Sequence, residues 1–269
     1  MKIPRLHSVK AIERQYNTGE EPVLVMCSDM NAYICKYMRS PAASYKLVSE
    51  LIGNVMARMW RFNSPELAIV NVKPEHWNGL RSSHSITAPA FGSRKKDGVI
   101  DITPATISEI EDSPLLFVQL VYIALFDFWM ANEDRNANNA NLMYDIIHRQ
   151  FVPIDYGCVF NTATFDYPLS QLTETDSILS SELFEVLADS NKRKALELIS
   201  NLNRNYSICV GRCQERMKLI IELIPEEWNV PRAMIADKVS QLFAPQWYDE
   251  VWQNFIEILN EKVNLWPIR

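Results

Sequence analysis

Apolar positions near the start of the chain come in short runs separated by turn residues: Pro22 to Cys27, then Ser28-Asp29-Met30-Asn31, then Ala32 to Met38. Two such runs joined by an Asp/Asn turn predict a β-hairpin. After Pro41 the period changes. Leu47, Leu51, Ile52, Val55, Met56 and Met59 recur at helical spacing and predict a helix over 43–62. Glu50 falls on the opposite side of that helix, near Gly53 and Ala57, and such small neighbours let that face approach another element closely. Strands are expected at Leu67 to Val72 and around Ser85 to Phe91, and the polar stretch GSRKKDG after them marks a boundary. Beyond it, Ser113 to Ala131 is apolar except for Gln119 and Asp127. A second hairpin follows, Asn141 to Ile147 and Gln150 to Ile154 around His148-Arg149, and Ser181 to Leu265 reads as helical. The pattern predicts an α+β chain, with a β-rich unit over 1–93 and a mainly helical unit over 94–269.

Composition narrows the classes. The 269 residues are 48% hydrophobic and 22% charged, the balance of an ordinary globular protein with enough chain for one or two domains. A net charge of -6 argues against nucleic acid as a partner, because phosphate-backbone binding needs a clustered cationic surface. The five cysteines, Cys27, Cys35, Cys158, Cys209 and Cys213, sit mostly in apolar runs and read as reduced, core-filling thiols. Cys209 and Cys213 lie one helical turn apart, but a zinc site needs four ligands and no second Cys/His pair is nearby.

The 113–131 segment is long enough to cross a bilayer, yet Asp127 would be costly in lipid and the polar run NEDRNANNAN follows at once. A central core helix is the expectation, with no membrane partner. The N-terminus, MKIPRLHSVKAIERQ, lacks the apolar stretch of a signal peptide, so a cytoplasmic location is expected.

The candidate chemistry lies in the polar block from Asn132 to Asn141 and in Ile154-Asp155-Tyr156-Gly157 at the end of the second hairpin. Phosphoryl transfer needs an acid facing the incoming hydroxyl and oxygen ligands that hold magnesium against a triphosphate. Asp134, Asn139 and Asp155 supply both. Asp134 and Asn139 have the spacing of the catalytic-loop aspartate and metal-binding asparagine of protein kinases, and Asp155-Tyr156-Gly157 stands where those enzymes carry Asp-Phe-Gly. Lys36 is the single charge in the strand Tyr33 to Met38, as expected of a lysine reaching from a sheet to phosphates, and Glu50 is its natural partner from the next helix.

With these residues in place, the chain resembles the HipA-like kinases, bacterial Ser/Thr kinases distantly related to phosphatidylinositol kinases, over about Glu13 to Phe160. The shared elements are Thr18-Gly19 with Pro22-Val23-Leu24-Val25, Lys36, Glu50 in SELIGNVMA, Ala90-Phe91-Gly92-Ser93, and Asp134-Arg135 through Asn139 with Asp155. The resemblance implies a bilobal protein-kinase-like fold with an ATP site between the lobes, adenine near Pro89, Ala90 and Phe91, and transfer to a serine or threonine of a protein. It assigns Asp134 as catalytic. Thr18, Gly19, Lys36, Glu50, Asn136 and Asn138 become nucleotide-binding residues, and Asn139 and Asp155 magnesium ligands. It also points to toxin and antitoxin roles, without identifying a partner.

The chain departs from the family at the phosphate loop, Gln15 to Glu21, which has one glycine and carries Glu20 and Glu21. Such a loop cradles phosphate less well, and the region after Gly157 matches no known activation segment. A nucleotide-binding pseudokinase with a regulatory role, and a small-molecule or lipid kinase, stay open beside the protein kinase. A calcium loop through Asp134, Asn136, Asn138 and Asp145 fails on detail, since Asn139 replaces the required glycine and strands follow. Arg135 is read as an orienting ion-pair partner, and His7, His76, His84 and His148 show no ligand spacing. Trp228, Trp247, Trp252 and Trp266 are read as anchors of the helical part.

Overall fold

The computed structural model describes residues 2–77 and 88–263. The chain runs β1 (Arg5–His7), β2 (Arg14–Gln15), β3 (Val23–Met26), β4 (Ala32–Lys36), α1 (Ala43–Met59), β5 (Leu67–Asn71), β6 (Ala90–Arg94) and β7 (Val99–Asp101). It continues through α2 (Pro114–Met130), β8 (Leu142–Asp145), β9 (Gln150–Pro153) and α3 (Val159–Ala163), then α4 (Glu182–Glu215), α5 (Met217–Glu222), α6 (Arg232–Gln241) and α7 (Pro245–Lys262). The architecture is α+β, a β-rich part followed by a larger helical part.

Six strands form one sheet in the order β1-β5-β6-β4-β3-β2, with β1 and β5 parallel and the other pairs antiparallel; β7, β8 and β9 form a second sheet. Strands β1, β2 and β7 carry no pattern in the sequence, because two or three half-exposed residues are too short to show a period. The strand expected at 85–91 is displaced. Its residues 85–87 lie outside the described residues, and β6 runs through Gly92, Ser93 and Arg94, which had read as the start of a polar boundary. Gly92 belongs there because a Cβ would stand 2.8 Å from the Val70 side chain.

Alternation along the strands sorts the larger sheet into two faces. Val23, Val25, Tyr33, Cys35, Ala68, Val70 and Ala90 close a small core on one side. On the other, Leu67, Ile69 and Phe91 pack into the main core with α1. Leu24 pairs with Ile34 and Met26 with Ala32, and these four side chains stay half-buried on the face that ends in Lys36. That surface is an apolar shelf leading to a cation.

Helix α2 starts from Ser113, whose hydroxyl accepts the Leu115 N–H, with Pro114 at its first position. It stops where Ala131 turns left-handed at φ 49. The helix is apolar nearly all round because protein surrounds it. No helix among the described residues is long and apolar enough to cross a membrane. Trp228 donates its indole N–H to the Pro89 carbonyl at 2.7 Å, and Trp247 donates to the Trp129 carbonyl at 3.0 Å. Trp252 stacks on Tyr206, while Trp266 and His84 fall outside the described residues.

Helix α1 is buried on most of its circumference, including Glu50, Gly53 and Asn54. Gly53 faces Tyr156 so closely that a Cβ would lie 2.5 Å from the Tyr156 Cβ. Alanine in a helix interior ordinarily gains about 1 kcal/mol over glycine. Here the obstacle is a Cβ next to the backbone, which cannot swing aside, so overlap wins. Gly53→Ala is expected to lower stability by about 1–3 kcal/mol, read as a reduced urea midpoint at unchanged slope.

Candidate functional site

Lys36 closes β4 with its ammonium pointing at three acids. It bonds Glu50 of α1, Asp155 Oδ1 at 2.7 Å and Glu20 Oε2 at 2.8 Å. Burial alone would depress the lysine, but Glu50, Asp155 and Glu20 together hold its pKa well above the usual value. Burial likewise works to raise Asp155, and Lys36 outweighs it, holding that carboxyl down to about 2. Glu50 moves the other way: full burial and the Asp155 charge push it up against the pull of Lys36.

Asp155 follows β9 with φ 57, a left-handed conformation that costs a non-glycine residue about 1–3 kcal/mol and is retained only where neighbours enforce it. The neighbours here are specific. Glu50 Oε2 accepts the Tyr156 N–H at 3.0 Å. The Tyr156 ring is fully buried against Gly53 and Phe126, and its hydroxyl meets Ser64 at 3.0 Å. Gly157 donates its N–H to Asp155 Oδ1 at 3.4 Å, and a Cβ there would stand 3.2 Å from Glu50 Oε1.

The second cluster centres on Asp134. Asn139 Nδ2 donates to its Oδ2 at 3.0 Å, and Asn141 Nδ2 donates to the same oxygen at 2.9 Å and to the Asp134 carbonyl at 3.2 Å. The carboxylate is therefore oriented from one side, with both bonds on Oδ2. Asn136 shapes the loop itself: its Oδ1 accepts the Asn138 N–H at 3.0 Å and its Nδ2 donates to the Glu133 carbonyl at 3.1 Å. Asn138 is exposed.

Arg135 binds the two clusters together. It is fully buried, donates to the Ile154 carbonyl at 2.9 Å just before Asp155, stands 3.4 Å from Asp127 of α2, and lies 5.2 Å from the Tyr156 ring centre. Asp127 also accepts Asn132 Nδ2 at 2.8 Å, and burial still raises it to about 6 against those partners.

The structure thus brings Lys36, Glu50 and Asp155 into contact and joins Asp134 to Asn139. The Thr18 carbonyl accepts the Glu21 N–H and the Gly19 carbonyl accepts Arg39, so that loop reaches the lysine through Glu20. The residues expected at the adenine, Pro89, Ala90 and Phe91, lie at the start of β6. Ala90 faces the opposite core, Phe91 is packed under α1, and the Pro89 carbonyl is taken by Trp228. Phe91 pairs with Lys36 across β4 and β6, so it shares the face on which the half-buried Leu24, Met26, Ala32 and Ile34 stand. Asn136, expected at the nucleotide, spends its amide inside the loop.

Sequence reading missed Asn141, Asp127 and Glu133. Glu133 accepts Asn161 Nδ2 at 2.9 Å and the Thr162 hydroxyl at 2.7 Å, clamping Phe160 to Ala163, four successive left-handed residues. Only the position of Glu133 beside Asp134 hinted at this.

The donor set fits magnesium, which takes one or two carboxylates with water and phosphate oxygens rather than an all-protein cage. Asn139 commits its amide nitrogen to Asp134, which leaves its carbonyl oxygen as a hard donor, and Asp155 is about a third exposed. Among the described residues no group of three or more His, Cys, Asp and Glu side chains forms a cage.

A lysine paired to a helix glutamate, an oriented aspartate with an asparagine, and an aspartate at a hairpin end are the parts of a kinase-type phosphotransfer site. The family described as HipA-like kinase matches residues 9–253, and this chain belongs to that family. A proinflammatory kinase from Helicobacter pylori, CtkA, has a crystal structure that aligns over 98% of this chain and 100% of its own, at 12% identity and a TM-score of 0.47. No curated protein matches the sequence.

Arg135→Met would strand Asp127 as a buried acid without its cation. It should cost about 3–5 kcal/mol, seen in urea denaturation. Burial, with the Asp134 charge beside it, raises the Cys158 thiol to about 12. Alkylation of Cys158 followed by peptide mass spectrometry should be slow at neutral pH and accelerate as pH rises, because the thiolate is the reacting form.

Proposed function

We propose that this protein is an ATP-dependent kinase that transfers the γ-phosphate to a hydroxyl, with a serine or threonine of a protein as acceptor. The observation that carries this reading is the simultaneous contact of Lys36 with Glu50 and Asp155, beside an aspartate oriented by two asparagine amides. We read residues 1–93 as the nucleotide-covering lobe and 94–269 as the lobe that carries the transfer machinery, in a cytoplasmic protein.

The assigned roles follow the chemistry of each group. Lys36 holds the α- and β-phosphates, and Glu50 keeps it aimed. The half-buried Leu24, Met26, Ala32 and Ile34 offer a flat apolar surface to the base. Asp134 accepts the proton of the acceptor hydroxyl as that oxygen bonds to the γ-phosphorus and the bond to the β-γ bridging oxygen breaks, releasing ADP. Asn139 and Asp155 would hold magnesium, which when bound neutralises charge building on the phosphates.

A second reading, a nucleotide-binding pseudokinase that acts as a regulatory module, is favoured by the one-glycine loop and by Glu20, which already pairs with the Lys36 ammonium at 2.8 Å.

Purified protein incubated with labelled ATP and a generic protein acceptor separates them. Asp134→Ala should lose transfer by at least a hundredfold, the scale of one general base, and keep ATP affinity within a few fold. Asp155→Ala should abolish the magnesium dependence of ATP binding in calorimetry. Binding without transfer by the unaltered protein would favour the pseudokinase, and no binding at all would overturn both readings.

A further inference from the structure

An ammonium has three N–H donors, and Lys36 faces three carboxylates, Glu20, Glu50 and Asp155. It donates to Glu50 and Asp155, and Glu20 stands as an ion-pair partner 2.8 Å away on the remaining side. A phosphate approaching this ammonium competes with the acids already around it, and the surroundings decide which of them yields. Glu50 is buried, 3% exposed, and also accepts the Tyr156 N–H. Asp155 is tied to Lys36 and Gly157. Glu20 sits in the turn between β2 and β3, and among the described residues its carboxylate is held only by lysine ammoniums, with no backbone N–H.

The other oxygen of Glu20 has its own cation. Glu20 Oε1 lies 3.0 Å from the ammonium of Lys46, in the first turn of α1. One carboxylate thus bridges two lysines, each oxygen on a separate cation, as two oxygens of a phosphate would. The position is central: Asp134, Lys46, Asp155 and Glu20 all bear electrostatically on the Cys158 thiol. Burial works to lower Lys46, and Glu20 more than offsets it. The adjacent Glu21 points elsewhere, to Arg39 at 3.1 Å and to Gln15 at 3.1 Å, so the two acids of the loop have different roles.

We propose that Lys46 is a second phosphate-binding cation of the nucleotide site, and that Glu20 is a built-in anion bridging Lys46 and Lys36 which the triphosphate must displace. This inference rests on the ATP reading above and extends it: the affinity for ATP contains the cost of expelling Glu20, and the loop swings outward when nucleotide enters. Adenosine, which has no phosphate, does not meet this competition.

Calorimetric titration of ATP and of adenosine into the full chain and its variants tests it. Glu20→Gln keeps the shape and removes the charge, so ATP should bind about tenfold tighter, the scale of one lost charge-assisted competitor, with adenosine affinity unchanged. Adding Lys46→Gln to Glu20→Gln should loosen ATP by a similar factor and again leave adenosine alone, which also shows the variant is folded. Glu21→Gln should move neither ligand by more than about twofold. ATP affinity that is unchanged or weaker in Glu20→Gln would overturn the competition, and loss of ATP and adenosine alike in the double variant would overturn the role of Lys46. Failure of every protein to bind either ligand would instead sink the ATP reading, and this inference with it.

Discussion

The structure depends on an ammonium group held away from bulk water at the end of a strand. A buried cation is tolerated only when it is paired, and Lys36 is paired three times, by residues from a loop, a helix and a hairpin end. Each contact ties a separate segment to the sheet. The same contacts keep three carboxylates close together, where without the lysine they would repel one another. Lys36 is therefore the junction at which loop, helix and hairpin end meet the sheet.

The supporting framework works by denying alternatives. Gly53 has no side chain, so Tyr156 can press against α1 and fix the turn in which Asp155 is left-handed. Arg135 follows Asp134 in its loop and bonds the carbonyl before Asp155, so one buried side chain ties together the segments that carry the two acids. Trp228 reaches from the helical part to Pro89 at the start of β6, and Arg5 of β1 pairs with Glu227 at 2.6 Å, so the helical part also grips the sheet from its other end. Opposite Lys36, the acidic turn of Glu20 is held by charge rather than by packing, which is why it is the element free to yield.

The long elements were legible because their periods are long enough to count. Helix α1, helix α2 and both hairpins fall close to where the spacing placed them, and the small residues beside Glu50 do mark a close approach. Short strands such as β1 and β7 left no signal. At the site, Lys36, Glu50, Asp134, Asn139 and Asp155 could be picked out because each is a chemically exposed choice in its local setting: a lone charge in a strand, a glutamate beside small residues, a polar block after an apolar helix. The surroundings of Pro89, Ala90 and Phe91 were hidden for the converse reason. Which face of β6 a residue occupies follows from pairing with β4 and β5, and nothing local reveals it.

Sequence alone determined the order of elements, the residue types available for phosphate and metal chemistry, and the membership of a kinase-like class, because these are properties of neighbours along the chain. Only the tertiary structure decided what each group does with its bonds. Lys36 meets Glu50 across 14 residues and Asp155 across 119, and Glu20 joins them from a turn with no periodicity at all. A donor can be shared among only so many acceptors, and that accounting exists only once distant segments have been brought to the same point.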